Sequence, residues 1–317
     1  MIFEQVGIIG CGLIGCSFAQ AVKKAGVAKH IVGYSKSPTA TEEAKALGIL
    51  DETAPSAMQV ASGSDLILIA TPVGAMAQIF VDIVSLVTPN TLIMDVGSTK
   101  QNVVAAARQG LKKKINNFVP AHPIAGKNMA GYQASDADLF QHANVVLTPL
   151  EKTAQTHLNN AIAVWEAIGA QVQLMNPKEH DHILGAVSHF PHLLAFAYMS
   201  GIINHTKKDR FLALAGPGFK DFTRIAASEP TLWRDVFMAN KEEMLTHIAD
   251  FKKVLTQYEG MLQKDDATKL LESLKESSEA RHEWGPEEEV LNAPLASPSV
   301  EHNVKDGLFS RLFGYHK

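Results

Sequence analysis

Short apolar runs alternate with amphipathic segments through the first half of the chain. The runs cover residues 6–9, 30–34, 66–70, 92–96, 118–120 and 145–147. Between them, segments such as 41–47, 74–84 and 101–110 carry helical periodicity. Alternation of this kind predicts βαβ units and a mostly parallel sheet, an α/β fold. The runs are almost unbroken in hydrophobicity, as strands covered on both faces require. Beyond residue 150 the pattern changes. Residues 153–168 look helical, 171–175 predict one more strand, and helical periodicity then dominates from 178 to 274. The expected organisation is an α/β domain over 1–150 and an all-α domain over 151–285. Over 286–317 we expect a Pro/Ala/Ser-rich linker and a short amphipathic helix carrying Val304, Leu308, Phe309, Leu312 and Phe313 on one face.

The first run ends in Gly10-Cys11-Gly12-Leu13-Ile14-Gly15, a G-x-G-x-x-G turn between a strand and a helix. In that context the glycines have separate tasks. Gly10 permits the tight turn, Gly12 lets backbone approach a pyrophosphate, and Gly15 lets helix and strand pack closely. Leu13 and Ile14 open the helix whose free N–H groups favour an anion. The same turn also closes ligand-free corners, so the pattern alone specifies no chemistry. Ligands on such sheets bind beyond the strands' carboxyl ends, and the next residues of interest follow strands. Ser35 and Lys36 stand about 20 residues past Gly15, where a carboxylate for the NAD ribose is usual. A hydroxyl and a cation there predict NADP used at least as well as NAD. Thr71, Pro72 and Val73 follow the third run, and Pro72 turns the chain beside the expected cofactor path.

Composition narrows the setting. The chain has 317 residues, 46% of them hydrophobic, and a formal net charge of −4, with no block of like charge. Neither a nucleic-acid nor a membrane-surface role is expected from that balance. The two cysteines, Cys11 and Cys16, form no metal or disulfide framework. No basic segment of a signal peptide precedes Val6, and the apolar stretch 190–203 is short for a membrane span and holds Pro191 and His192. The expected setting is the cytoplasm.

Four further stretches carry candidate chemistry. Gly97-Ser98-Thr99-Lys100 presents a hydroxyl after the fourth run, which would also serve as a helix cap. His122 lies between Pro120 and Pro123, a stiff frame for an acid–base imidazole just beyond a strand. In the helical half, His189 and His192 share a helix face. No H-E-x-x-H or Cys/His cluster accompanies them, so no metal is expected. Pro191 should kink that helix. Arg224 sits among Phe222, Ile225 and Ala226. It either pairs with Asp221 or forks onto a substrate carboxylate. Trp233 is expected in a core or an interface.

Taken together, Gly97-Ser98-Thr99-Lys100, His122-Pro123-Ile124-Ala125-Gly126, Ser188-His189-Phe190-Pro191-His192 and Asp221-Phe222-Thr223-Arg224-Ile225-Ala226 resemble the prephenate dehydrogenase family, which includes the arogenate and cyclohexadienyl dehydrogenases. The resemblance spans roughly residues 6–284. It implies a Rossmann domain, a helical domain that builds a homodimer, and NADP or NAD as cofactor. The implied reaction is oxidative decarboxylation of prephenate, or arogenate, in tyrosine biosynthesis. In this scheme His122 takes the hydroxyl proton and Ser98 positions it. Arg224 holds a substrate carboxylate, helped by Asp221, and His189 and His192 line the pocket. Asn128 stands where many members have a glutamate, so the contacts of that carboxylate are not carried over. The rival expectations are a hydroxyacid dehydrogenase of the same plan and a non-catalytic NADP-sensing protein.

Overall fold

Strand β1 (Phe3–Ile9) lies inside a six-stranded parallel sheet. The other strands are β2 (Ala28–Tyr34), β3 (Glu52–Thr53), β4 (Leu66–Ile69), β5 (Leu92–Asp95) and β6 (Phe118–Val119), in the order β3-β2-β1-β4-β5-β6. The order reverses between β1 and β4, which opens a crevice beyond the carboxyl ends of those two strands. Ile9 is in register with Tyr34 on one side and Ile69 on the other. The glycine turn, Ser35 and Thr71 therefore all leave the sheet at one edge. The computed structural model describes residues 2–127, 129 and 131–284. Asn128 and the expected linker and tail helix at 286–317 lie outside the described residues.

The period of two along each strand divides the interior into two cores. Ile8, Leu66 and Leu68 face α1 (Leu13–Lys24) and α2 (Pro38–Ala46), whereas Ile9, Ile67 and Ile69 face α3 (Ala57–Ala61), α4 (Val73–Ile83) and α5 (Gln101–Leu111). Both faces are dry, hence the unbroken apolar runs.

Two sequence expectations need correction here. The run at 145–147 belongs to a second sheet, built from β7 (Ala121–Pro123), β8 (Asn144–Leu147) and β9 (Gln171–Leu174). Strands β7 and β8 are antiparallel, and His122 pairs with Val146. Pro120 has no N–H to give to a ladder, so the chain leaves β6 there and starts again as β7. His122 is thus within a strand rather than beyond one. The second correction concerns extent. Helix α6 (Gln155–Ala167) buries Trp165 against Phe18 and Phe140, with ring centroids 5.1 and 5.3 Å apart. The same core continues to Ala170 and β9 ends at Leu174. The sheet-built region therefore runs past residue 150.

The helices after β9 are α7 (Pro177–Leu184), α8 (Phe190–Ile203), α9 (Lys208–Ala213), α10 (Pro217–Thr223), α11 (Pro230–Ala239), α12 (Lys241–Gln263) and α13 (Ala267–Trp284). A π-helical turn, Gly185–His189, joins α7 to α8 without a break. Pro191, at the start of α8, lacks the N–H of a regular helix, and the widened turn precedes it. The joined helix is 27 residues long, and an 18-residue window within it has mean hydropathy 1.2, enough to pass for a membrane span by length and composition only. The stretch judged short in the sequence is only its second half. Two compact units divide the chain, Met1–Lys252 and Lys253–Lys317. The described part of the second holds the end of α12 and α13, linked by a 3.0 Å hydrogen bond between Ser273 and Tyr258.

Candidate active site

The glycine turn follows from close approach. Gly10 has φ +110°, and a Cβ there would lie 2.4 Å from the Ala70 carbonyl oxygen. A Cβ on Gly15 would lie 2.0 Å from the Gly10 carbonyl oxygen. Around Gly12 a Cβ would meet nothing within 4 Å. That space fronts the start of α1, which has no side-chain cap. Free N–H groups and the positive end of the helix dipole face it. Gly12, Leu13, Ile14, Thr71, Pro72 and Val73 line one wall of a cleft of about 690 Å³. The Thr71 hydroxyl is buried there without a hydrogen-bond partner among the described residues. Ser35 and Lys36 lie at the same sheet edge after β2, but neither lines this cleft.

His122 lies on the cleft floor and is 9% exposed. Its Nδ1 is 2.8 Å from His180 Nε2, and His180 Nδ1 is 2.8 Å from Asp181 Oδ1. The carboxylate only accepts, so His180 donates from Nδ1. Neutral His180 then accepts at Nε2, and His122 donates from Nδ1. This chain of bonds leaves His122 Nε2 as a bare acceptor for the cleft. Electrostatics keep it so. Burial lowers the His122 pKa well below the ordinary histidine value, and His180, Lys100 and His189 lower it further. His180 is also lowered, because burial outweighs the pull of Asp181.

Asp181 has a second task. It accepts the Lys100 N–H at 2.7 Å and the Gln101 N–H at 2.9 Å. Residues at the start of α5 offer no side-chain cap, so α7 supplies one from 80 positions away. Burial pushes the Asp181 carboxyl up, yet the bonds from His180, Gln101 and Lys100 hold it below the ordinary value.

A buried ion pair ties β5, whose end leads into the loop with Ser98, to β7, which carries His122. Lys100 Nζ donates to Asp95 and to the Ala121 carbonyl oxygen, and both charged side chains are fully buried. Asp95 also accepts the Gly97 and Ala121 N–H groups at 2.8 and 3.1 Å. A Cβ at Gly97 would sit 2.8 Å from Val73 and 3.0 Å from the Asp95 carboxylate. Only glycine lets the loop fold round that carboxylate and present Ser98 to the cleft.

The opposite wall comes from the helices. His192 stacks on Trp233 with ring centroids 3.6 Å apart and donates from Nδ1 to the Ser188 carbonyl, 2.9 Å away. Burial and the nearby Arg224 keep it neutral. Arg224, on the 3₁₀ turn Arg224–Ala227, is exposed and lines the cleft. Asp221 is exposed and does not line it. His189 is also absent from the lining. It is fully buried behind the wall, where Asn240 Nδ2 lies 3.2 Å from its Nδ1. The π turn directs it inward while Ser188 and His192 face the cleft. Trp233, expected in a core or interface, is part of the cleft wall.

Sequence reasoning passed over His180, Asp181, Asp95 and Asn240, and quoted Lys100 only within its motif, without a task. Three of them left a signal. Asp95 is a charge in an otherwise apolar strand, and a buried charge requires a partner. His180 and Asp181 share the buried face of α7 with Leu184. Asn240 left none.

Two family models match the chain. Residues 18–174 match the nucleotide-binding domain of prephenate dehydrogenase, and 176–276 its dimerization domain. A cyclohexadienyl dehydrogenase of Zymomonas mobilis is 34% identical over 286 residues, covering 88% of this chain and 96% of that one. A prephenate dehydrogenase of Bacillus subtilis is 32% identical, covering 88% and 75%. In structure, the Aquifex aeolicus prephenate dehydrogenase solved with hydroxyphenyl propionate and NAD+ gives a TM-score of 0.85 at 34% identity, covering 90% of this chain and 99% of that one. With both models and these relatives spanning most of its length, the chain belongs to the prephenate dehydrogenase family.

Proposed function

We propose that this chain is an NAD(P)-dependent prephenate dehydrogenase, converting prephenate to 4-hydroxyphenylpyruvate, the precursor of tyrosine. The observation that carries this reading is the His122 imidazole, held as an Nε2 acceptor in the same cleft as the glycine turn, Ser98 and Arg224. The residues present fit a dinucleotide. The open space at Gly12, the uncapped start of α1 and the unpartnered Thr71 hydroxyl suit a pyrophosphate and its flanking groups. When bound, the nicotinamide supplies the hydride acceptor. His122 Nε2 accepts the proton of the substrate hydroxyl as hydride leaves the same carbon. Loss of carbon dioxide then makes the ring aromatic. Ser98 holds the hydroxyl in line, which is positioning rather than proton transfer. Arg224 forks onto a substrate carboxylate. Asp181 and His180 fix the tautomer from behind.

Ser35 and Lys36 favour NADP+ at least equally with NAD+, since no carboxylate ends β2 to repel a 2′-phosphate. A homodimer through the helical region is supported by apolar side chains left uncovered there, including Tyr198, Met238 and Leu245. The test is the initial rate of nicotinamide reduction by the full chain, with prephenate and arogenate against each cofactor. Turnover of prephenate with NADP+ at least matching NAD+ in kcat/KM is expected. No reduction of either cofactor with either substrate overturns the reaction. A large NAD+ preference overturns the cofactor assignment alone.

A further inference from the structure

A second cluster of histidine and carboxylate side chains lies apart from the cleft. His182 comes from α7, and Glu243 and His247 come from α12. One donor atom from each lies within 4.8 Å of the other two. Glu243 and His247 are four positions apart and so share one helix face. His182 Nδ1 is 2.8 Å from Glu243 Oε2. The His182 and His247 rings lie 5.8 Å apart, inclined by 33°. None of the three lines the catalytic cleft.

One member of the cluster is not accounted for by the protein's own bonds. His247 Nε2 is buried and has no hydrogen-bond partner among the described residues. Leaving such an atom unmet costs about 1–3 kcal/mol. A Cβ on Gly185 would stand 3.1 Å from that nitrogen, so the π turn meets the ring at a residue with no side chain. Phe190 packs beside the ring with centroids 5.8 Å apart. The outer member is the exposed one. The His182 side chain is 62% exposed, whereas Glu243 is 19% exposed.

From this arrangement we infer a zinc site at His182, Glu243 and His247, with water as the fourth ligand. Two imidazoles and one carboxylate are a donor set that tetrahedral zinc takes. With bonds of about 2.0–2.1 Å, donors around zinc stand roughly 3.4 Å apart. Small rotations, chiefly of the exposed His182, close the present cluster to that spacing. The ion would replace the His182–Glu243 bond and pin α12 to α7. One turn before Glu243, Asn240 Nδ2 donates to the Asp181 carbonyl oxygen at 2.7 Å. The site therefore braces the helix pair behind the His122–His180–Asp181 chain without joining the reaction. It does not depend on the reaction proposed above. Its ligands lie 61 positions apart between His182 and Glu243, which no short sequence motif reveals.

The experiment uses the full chain stripped with chelator and then dialysed against zinc chloride. Metal content is measured by mass spectrometry, and affinity by competition with a chromophoric chelator. The expected result is about one more zinc per chain in the native sequence than in the double variant His182→Ala/His247→Ala. Outer partners of metal ligands already matter about 10–100-fold in affinity, so Glu243→Gln, which alters a direct ligand, should cost more than about tenfold. Zinc should raise the melting temperature of the native protein and leave the double variant unmoved. His182→Asn, at the exposed position, should lose tight zinc while melting like the native protein in chelator. Equal uptake by native and double variant, whether high or nil, overturns the proposal, as does full affinity in His182→Asn.

Discussion

The sheet-built region up to Leu174 and the helices that follow have different interiors. Strands β4 and β5 are buried at every position, and two apolar cores flank them. In the described helices from Pro177 to Trp284, only Leu184, Phe190, Ala195, Val236 and Met244 are buried apolar side chains. Helix α12 is 23 residues long and buries Met244 alone, and α13 buries none. The first region can hold its shape from within, because its strands are covered on both faces. The second leaves large apolar side chains uncovered, which a protein of this kind conceals against another surface. Chemistry is divided along the same line. His122 and the glycine turn are set in the sheet-built region, and Arg224 and His192, which line the same cleft, come from the helices.

That contrast can be broken from the rigid side first. His122→Asn should lower kcat by about 10²–10⁴, the span general bases usually command. Absorbance of reduced nicotinamide measures it, and a loss below tenfold would remove His122 from the base role. Next comes the clamp. Asp95→Asn leaves the Lys100 charge buried without its partner and should cost about 3–5 kcal/mol in urea unfolding. A smaller cost would mean that the sheet edge relaxes more than its dry core suggests.

Acidification should expose the seam between the regions. Burial lowers the His189 pKa to about 4, mainly against the pull of Asp181, and His122 and His180 are also held below the ordinary 6.5. In each case the unfolded chain binds the proton more readily. The stability they confer is full above about pH 6.5 and falls as pH drops toward the folded values. The window for His189 runs from 6.5 to about 4, with a loss of up to ~3 kcal/mol. Unfolding midpoints against pH would reveal it, and a flat profile would contradict the burial argument. The smallest effect is expected at Leu245, which is 55% exposed within the chain. If it faced only water, Leu245→Asp would change stability by within about 0.5 kcal/mol. In the homodimer it should shift the protein toward monomer in sedimentation and make melting depend on concentration.

The same division marks what the sequence could reveal. The parallel sheet and its glycine turn were legible because buried strands and G-x-G-x-x-G leave local signatures. His122 and Ser98 stood out because each follows an apolar run, 118–120 and 92–96, although His122 itself lies in β7, which the pattern did not show. The hydrogen bonds that give His122 its tautomer were not legible, since His180 lies 58 positions away. The three-stranded sheet escaped for a similar reason. Strand β7 has three residues, and its pairing with β8 crosses a loop with no hairpin signal. In the helical half, periodicity identified helices but not which face meets what. His189 was taken as a wall residue and Trp233 as core or interface, whereas His189 is buried behind the cleft and Trp233 lines it.

The π turn at Gly185–His189 sets the angular phase of everything beyond it. In an ordinary helix each residue advances about 100° around the axis. A π turn accommodates roughly one extra residue without breaking the rod. The stretch before it directs His180 and Asp181 toward α5 and β7, and the stretch after it presents Ser188 and His192 to the cleft. Removing a single residue from 185–189 would let the rod close into a regular helix and swing the following side chains by about 100°. Trp233 would lose its stacking partner and the cleft its far wall, while every strand stayed in place. The spacing between the two halves of this helix is thus a rotational setting as well as a length.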